Sequence, residues 1–103
     1  MKDNYKFNTE ELLAITAAVE TYLESKNAAV YGQVLKNEIK VPLCNSCLKK
    51  LDNYNPLTFF TKQEYTVMYM AVTYVDFISV SEGIEIPGNA SAQDKLAQLA
   101  DTL

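Results

Sequence analysis

The residue types that most invite chemistry are two cysteines three apart, in Cys44-Asn45-Ser46-Cys47. Such a pair lowers a thiolate pKa when it opens a helix after a strand, as in a βαβ unit. Only Val41-Pro42-Leu43 precedes it, with no strand pattern of the kind that chemistry needs. As half of a zinc site it lacks two ligands, and the chain contains no histidine to supply them. A second copy would bring the count to four cysteines, so Cys44 and Cys47 are metal candidates only across a dimer. The plainer reading makes them small apolar residues on a buried stripe with Leu48 and Leu51, at helical spacing.

A second set lies between Thr61 and Gly83. Tyr65, Met68, Tyr69, Val72, Tyr74 and Asp76 are the candidate ligand or interface residues. Tyrosine joins an apolar body to a polar tip, which suits the wall of a small-molecule pocket around Tyr65, Tyr69 and Tyr74. Tyrosine and methionine are also enriched at oligomer seams. Asp76 is the one charge among the apolar residues between Tyr65 and Val80. Buried, it would need a lysine or a tyrosine hydroxyl; otherwise it marks a narrow solvent-facing strip with Thr66, Thr73 and Ser79. The carboxylates Glu10, Glu11, Glu20 and Glu24 have a spacing that could mimic a row of phosphates, but their density is low and an ordinary solvated face accounts for them.

Composition removes several classes of function. The 103 residues suffice for one domain with a real core, and 49% of them are hydrophobic, which opposes disorder. All the basic residues are lysine, and there is no arginine, histidine or tryptophan. The guanidinium fork that reads guanine and clasps phosphate is therefore absent, as is the usual general base. A net charge of −4 opposes binding to nucleic acid or an anionic membrane. No glycine-rich phosphate loop and no nucleophile–base set is present. No apolar run precedes the first helix, and two cysteines without a secretory signal fit a reducing, cytoplasmic setting.

The elements that must position these residues are read from caps and periodicity. Asn8 and Glu11 form a capping box, and Leu12, Ile15, Val19, Tyr22 and Leu23 make an apolar stripe, so a helix is expected from about Thr9 to Ser25. Residues 1–7 are expected to be a flexible arm. Asn27 begins a second helix over 28–40, with Tyr31, Val34, Leu35 and Ile39 inward, and Pro42 ends it. A short third helix runs from Leu43 to Leu51, with Lys49 and Lys50 facing water. Thr61 and Glu64 repeat the capping box, with Phe60 and Tyr65 at staple spacing, and Gly83 supplies the left-handed stop. Ile84 and Ile86 alternate with Glu85 as an extended segment. Ser91 and Asp94 then cap a last helix with Leu96, Leu99 and Leu103 inward.

Phe7-Asn8-x-x-Glu11 and Phe60-Thr61-x-x-Glu64 are each followed at equal distance by Ala-Val, Ala18-Val19 and Ala71-Val72. Duplication of a helix pair would produce this, but so would two helices started by the same capping physics, and the second explanation is the simpler.

The expectation is an all-α domain spanning 1–103. Four or five helices pack around a central apolar helix, about 62–82, with the first helix as its main antiparallel neighbour. The run is too short and too charged to span a membrane. The expected function is non-enzymatic and needs no cofactor. The chain acts by binding another protein, as a regulator or inhibitor of the kind mobile elements encode, and forms a homo-oligomer. The alternatives are a tyrosine-lined ligand-binding module and a thiol redox or intermolecular zinc protein using Cys44 and Cys47.

Overall fold

The computed structural model describes residues 6–25, 28–30 and 32–102. Among them are four helices, α1 (Thr9–Glu24), α2 (Asn37–Asp52), α3 (Lys62–Glu82) and α4 (Asn89–Thr102), and a small hairpin of β1 (Ala29–Val30) and β2 (Gln33–Val34). The protein is an all-α bundle, and α3 packs against α1, α2 and α4. No described helix is long and apolar enough to cross a membrane.

Both capping boxes form. Asn8 and Thr61 each accept the amide of the third helical residue, and Glu11 and Glu64 each accept the cap amide in return. The Phe60–Tyr65 staple closes with ring centroids 5.4 Å apart. Gly83 stops α3 at φ 71°, where the amides of Gly83 and Ile84 reach back to carbonyls of the last turn. The core is made by Ile15, Val19 and Tyr22 of α1, Cys44 and Cys47 of α2, Met68 and Val72 of α3, and Leu96 of α4. A fully buried side chain the size of Val or Met contributes roughly 1.5–3 kcal/mol.

The helices α1 and α3 run parallel, not antiparallel as expected. Tyr54 lies between Phe7 and Phe60, which stand at the starts of the two helices, and Tyr22 meets Tyr74 toward their ends. The return strand of the bundle is α2. Lys40 near its start reaches the last carbonyls of α1, and Lys50 near its end reaches the start of α3. The most extensive partner of α3 is α4, with α1 next.

The second expected helix is replaced. Residues 28–34 hold the hairpin, with Ala29 opposite Val34 and Val30 opposite Gln33. Its connection is the two positions 31 and 32, and Gly32 has φ 77°, the conformation such short turns require. Val30 is buried, whereas Val34 and Ile39, expected inward, are exposed; Tyr31 lies outside the described residues. Pro42 does not separate two helices. It is the sixth residue of α2, near enough to the N-terminus that only the bond to the Glu38 carbonyl is forfeited.

Residues 1–5 of the expected arm lie outside the described residues. Phe7 is buried, and Lys6 offers its carbonyl to Lys95. Ile84 is exposed and no strand forms at 84–86. The last helix begins at Asn89, ahead of the expected caps, so Ser91 lies in its first turn. Leu96 is buried and Leu99 partly so; Leu103 lies outside the described residues.

Candidate functional site

The structure separates the candidate residues. Met68 and Val72 are fully buried in the core of the chain's own bundle. Tyr65 and Tyr69 are partly buried on one side of α3. Tyr74 stands nine positions after Tyr65, which on a helix is roughly 14 Å along the axis and half a turn around it. Its hydroxyl accepts from Ser25, 3.1 Å away, and its ring meets Tyr22. Tyr65 and Tyr74 thus point into different surroundings, and the three tyrosines do not line one pocket. Asp76 is half-exposed, while Thr73 and Ser79 of the supposed solvent strip are buried.

Cys44 and Cys47 are reduced and fully buried, on the core face of α2. The Cys47 thiol donates to the Glu64 carbonyl at 3.6 Å. Burial, with the nearby Glu64 charge, pushes its pKa up to about 12, and burial also raises that of Cys44. This is the opposite of the electropositive, partly exposed setting that activates a thiolate. Among the described residues, no three or more of Cys, Asp and Glu gather where a metal ion could be held.

The polar groups that do converge were not singled out by the sequence. Glu64 of α3 is buried, and its carboxylate takes the Thr61 amide at 2.7 Å, the Lys50 ammonium at 2.7 Å and the Ser46 hydroxyl. Lys50 also donates to the Phe59 carbonyl at 2.9 Å. Glu11 of α1 is buried in the same way. It takes the Asn8 amide at 2.8 Å and Lys95 at 2.8 Å, and Lys95 also donates to the Lys6 carbonyl at 2.6 Å; the Ser91 hydroxyl nearby donates to the Gly88 carbonyl at 3.3 Å. Burial pushes both carboxyls up, but the lysines, the nearby serines and the cap amides more than offset it, so both are held below the ordinary glutamate range. Lys50 therefore does not simply face water. The row of acids on α1 is likewise broken, because Glu11 is spent on this clamp while Glu10, Glu20 and Glu24 are exposed.

The two clamps match in their cap, glutamate and lysine, while Ser46 donates to Glu64 and Ser91 to the Gly88 carbonyl. Each lysine reaches the carbonyl two residues before the cap and the capping-box glutamate, and each serine stands four residues before its lysine. Ile39, Pro42, Ser46, Lys50 and Leu51 recur at one constant offset as Ile84, Pro87, Ser91, Lys95 and Leu96. The similarity between α1 and α3 therefore extends to α2 and α4, and shared capping physics alone does not account for it. The chain is two similar helix pairs, each lending a lysine to the other's glutamate. The connection within the first pair is longer and holds the hairpin.

The pairs differ in how tightly they close. The seam between α3 and α4 is the more extensive, and Gln93 bridges it to Thr73 at 3.2 Å. The matching seam between α1 and α2 is open. It forms a groove of about 530 Å³ lined by Leu12, Leu13, Thr16 and Glu20 of α1 and by Leu48 and Asp52 of α2. Leu13 on its edge is 66% exposed. Further apolar side chains are exposed at the end of α3, Phe77 and Val80 on the helix and Ile84 just beyond its stop.

Comparison with known protein families, curated proteins and solved structures finds no match to this chain.

Proposed function

We propose that this protein acts by binding another protein, as a cytoplasmic regulator or inhibitor, and that it has no catalytic role of its own. The observation that carries this reading is the open apolar groove between α1 and α2. Its counterpart in the second helix pair is a more extensive seam, bridged by Gln93 and Thr73. The side chains that might have served chemistry are committed elsewhere: the two thiols to the core, and Glu11 and Glu64 to the clamps. An open cleft with apolar walls is what a partner's side chains require. The test is capture on the immobilised chain from an extract of the cells that encode it, beside the variant Leu13→Glu. A specific protein retained by the native chain and lost by the variant is expected. Retention of no specific protein would refute the reading.

A second reading, self-association, is favoured by the exposed side chains of Phe77, Val80 and Ile84. Native mass spectrometry should then show a dimer or higher species that Val80→Glu reduces to monomer.

A further inference from the structure

The comparison between the two helix pairs shows why the α1–α2 groove is open and what would close it. Matched through the caps, Leu12 corresponds to Tyr65, Thr16 to Tyr69 and Glu20 to Thr73; matched through the clamps, Leu48 corresponds to Gln93. In the second pair, Tyr65 and Tyr69 precede Thr73 at helical spacing and pack against the core, and the Thr73–Gln93 bond crosses the seam. In the first pair the tyrosines become a leucine and a threonine, and the bridged couple becomes Glu20 and Leu48, which both line the groove and cannot hydrogen-bond to each other. The volume that large side chains would occupy is vacant, and a carboxylate stands over an apolar wall.

The charged side chains that line the groove have one sign. Glu20 and Asp52 line it, and no lysine does. Helix α1 contains four glutamates and no basic residue, and the whole chain carries −4. From Thr9 to Glu20 the α1 wall is roughly 17 Å long, about three helical turns.

Resting on the protein-binding reading, we propose that the groove receives one amphipathic helix of a basic partner. That helix presents large apolar or aromatic side chains on the side facing Leu12, Leu13 and Leu48, and lysine or arginine to Glu20 and Asp52. Two antiparallel walls of apolar side chains favour a helix laid between them, with anchors at i, i+3 or i+4, and i+7. Opposite charge at the rim sets orientation and speeds encounter, and makes the interaction salt-dependent.

The probe is a synthetic helical peptide of about four turns. It carries leucine and one tyrosine on one face and lysine on the other, and a counterpart carries glutamate for every lysine. Amide NMR spectra of the full chain are recorded during titration. The lysine peptide should shift the resonances of Leu12, Leu13, Thr16, Glu20 and Leu48, and the glutamate peptide should bind at least about tenfold more weakly. Thr16→Tyr, which supplies the side chain found in the second pair, should abolish the shifts. The double variant Glu20→Lys/Asp52→Lys, altered only on the surface, should reverse the preference between peptides, so the test does not depend on how Thr16→Tyr packs.

Equal binding of both peptides, shifts centred on Phe77, Val80 and Ile84, or no shifts at all would overturn the proposal. So would groove resonances that move on dilution of the chain alone, which would make a second copy the occupant. If the native chain and Thr16→Tyr retain the same cellular protein equally, the groove proposal fails while the protein-binding reading stands. If neither retains one, the reading itself fails.

Discussion

Glu11→Gln and Glu64→Gln should destabilise the fold by comparable amounts, up to about 2 kcal/mol each. The glutamine at position 64 keeps an acceptor for the Thr61 amide and for Lys50, but it has no charge. A hydrogen bond to a charged group contributes about 1.5–3 kcal/mol and a neutral one about 0.5–1.5, so each affected bond weakens by about 1 kcal/mol. Glu64 accepts from Thr61, Lys50 and Ser46, giving a gross loss near 3 kcal/mol. Lys50 keeps 34% side-chain exposure and Lys95 26%, so water recovers part of that loss. The same reasoning applies to Glu11 with Asn8 and Lys95, whose two bonds give a gross loss near 2 kcal/mol. Urea unfolding followed by far-ultraviolet circular dichroism at neutral pH should place each variant's midpoint about 1 M below the native chain.

Acid should erase the difference. Both folded-state pKa values are depressed, so the stabilisation is complete above the unfolded glutamate value of ~4.3 and is lost as the pH falls through the folded values. Below that window the native chain and both variants should unfold at similar urea concentrations. A large cost at one glutamate with none at the other, or a difference that survives at low pH, would refute the equivalence of the clamps.

Val72→Asp puts an unpaired charge at a site with no solvent exposure and should cost more than about 4 kcal/mol, leaving the domain unfolded by circular dichroism. Tyr22→Phe should raise the thermal midpoint, because the Tyr22 hydroxyl is buried without a hydrogen-bond partner among the described residues. With a pKa of about 12, Cys47 is thiolate in only about one molecule in ten thousand at pH 8. An aromatic disulfide reagent should therefore modify the native chain far more slowly than the urea-unfolded chain. Gly88→Ala should destabilise by about 2 kcal/mol or more in the same urea assay, because a Cβ there would lie 2.7 Å from the Glu10 carbonyl carbon and φ is +80°.

What the sequence revealed was local. Asn8 with Glu11, Thr61 with Glu64, and Gly83 each act within one helical turn, and they placed α1 and α3 to within a residue. The hairpin was hidden because two residues per strand are too few to show alternation, and Gly32 reads equally as a flaw in a helix. Pro42 misled because its cost depends on distance from the helix start, which was itself unknown. The parallel course of α1 and α3 is set by α2 returning between them, so it could not be read without α2. The clamps were least visible, since Glu11 and Lys95 are 84 positions apart. Their one sequence trace was the recurrence of Ile39, Pro42, Ser46, Lys50 and Leu51 in the last third of the chain. The open groove was visible only by contrast with the bridged seam between α3 and α4.

The exchange of lysines between the helix pairs bears on how the chain is made. A ribosome releases α1 and α2 first, with Glu11 still lacking its cation and Lys50 lacking its anion. Glu64 arrives with α3 and completes one clamp; Lys95, in the last helix, completes the other. Neither half can finish itself, so one clamp waits for α3 and the other for α4. The same interdependence should make unfolding all-or-none, with no stage at which one pair stands while the other is lost.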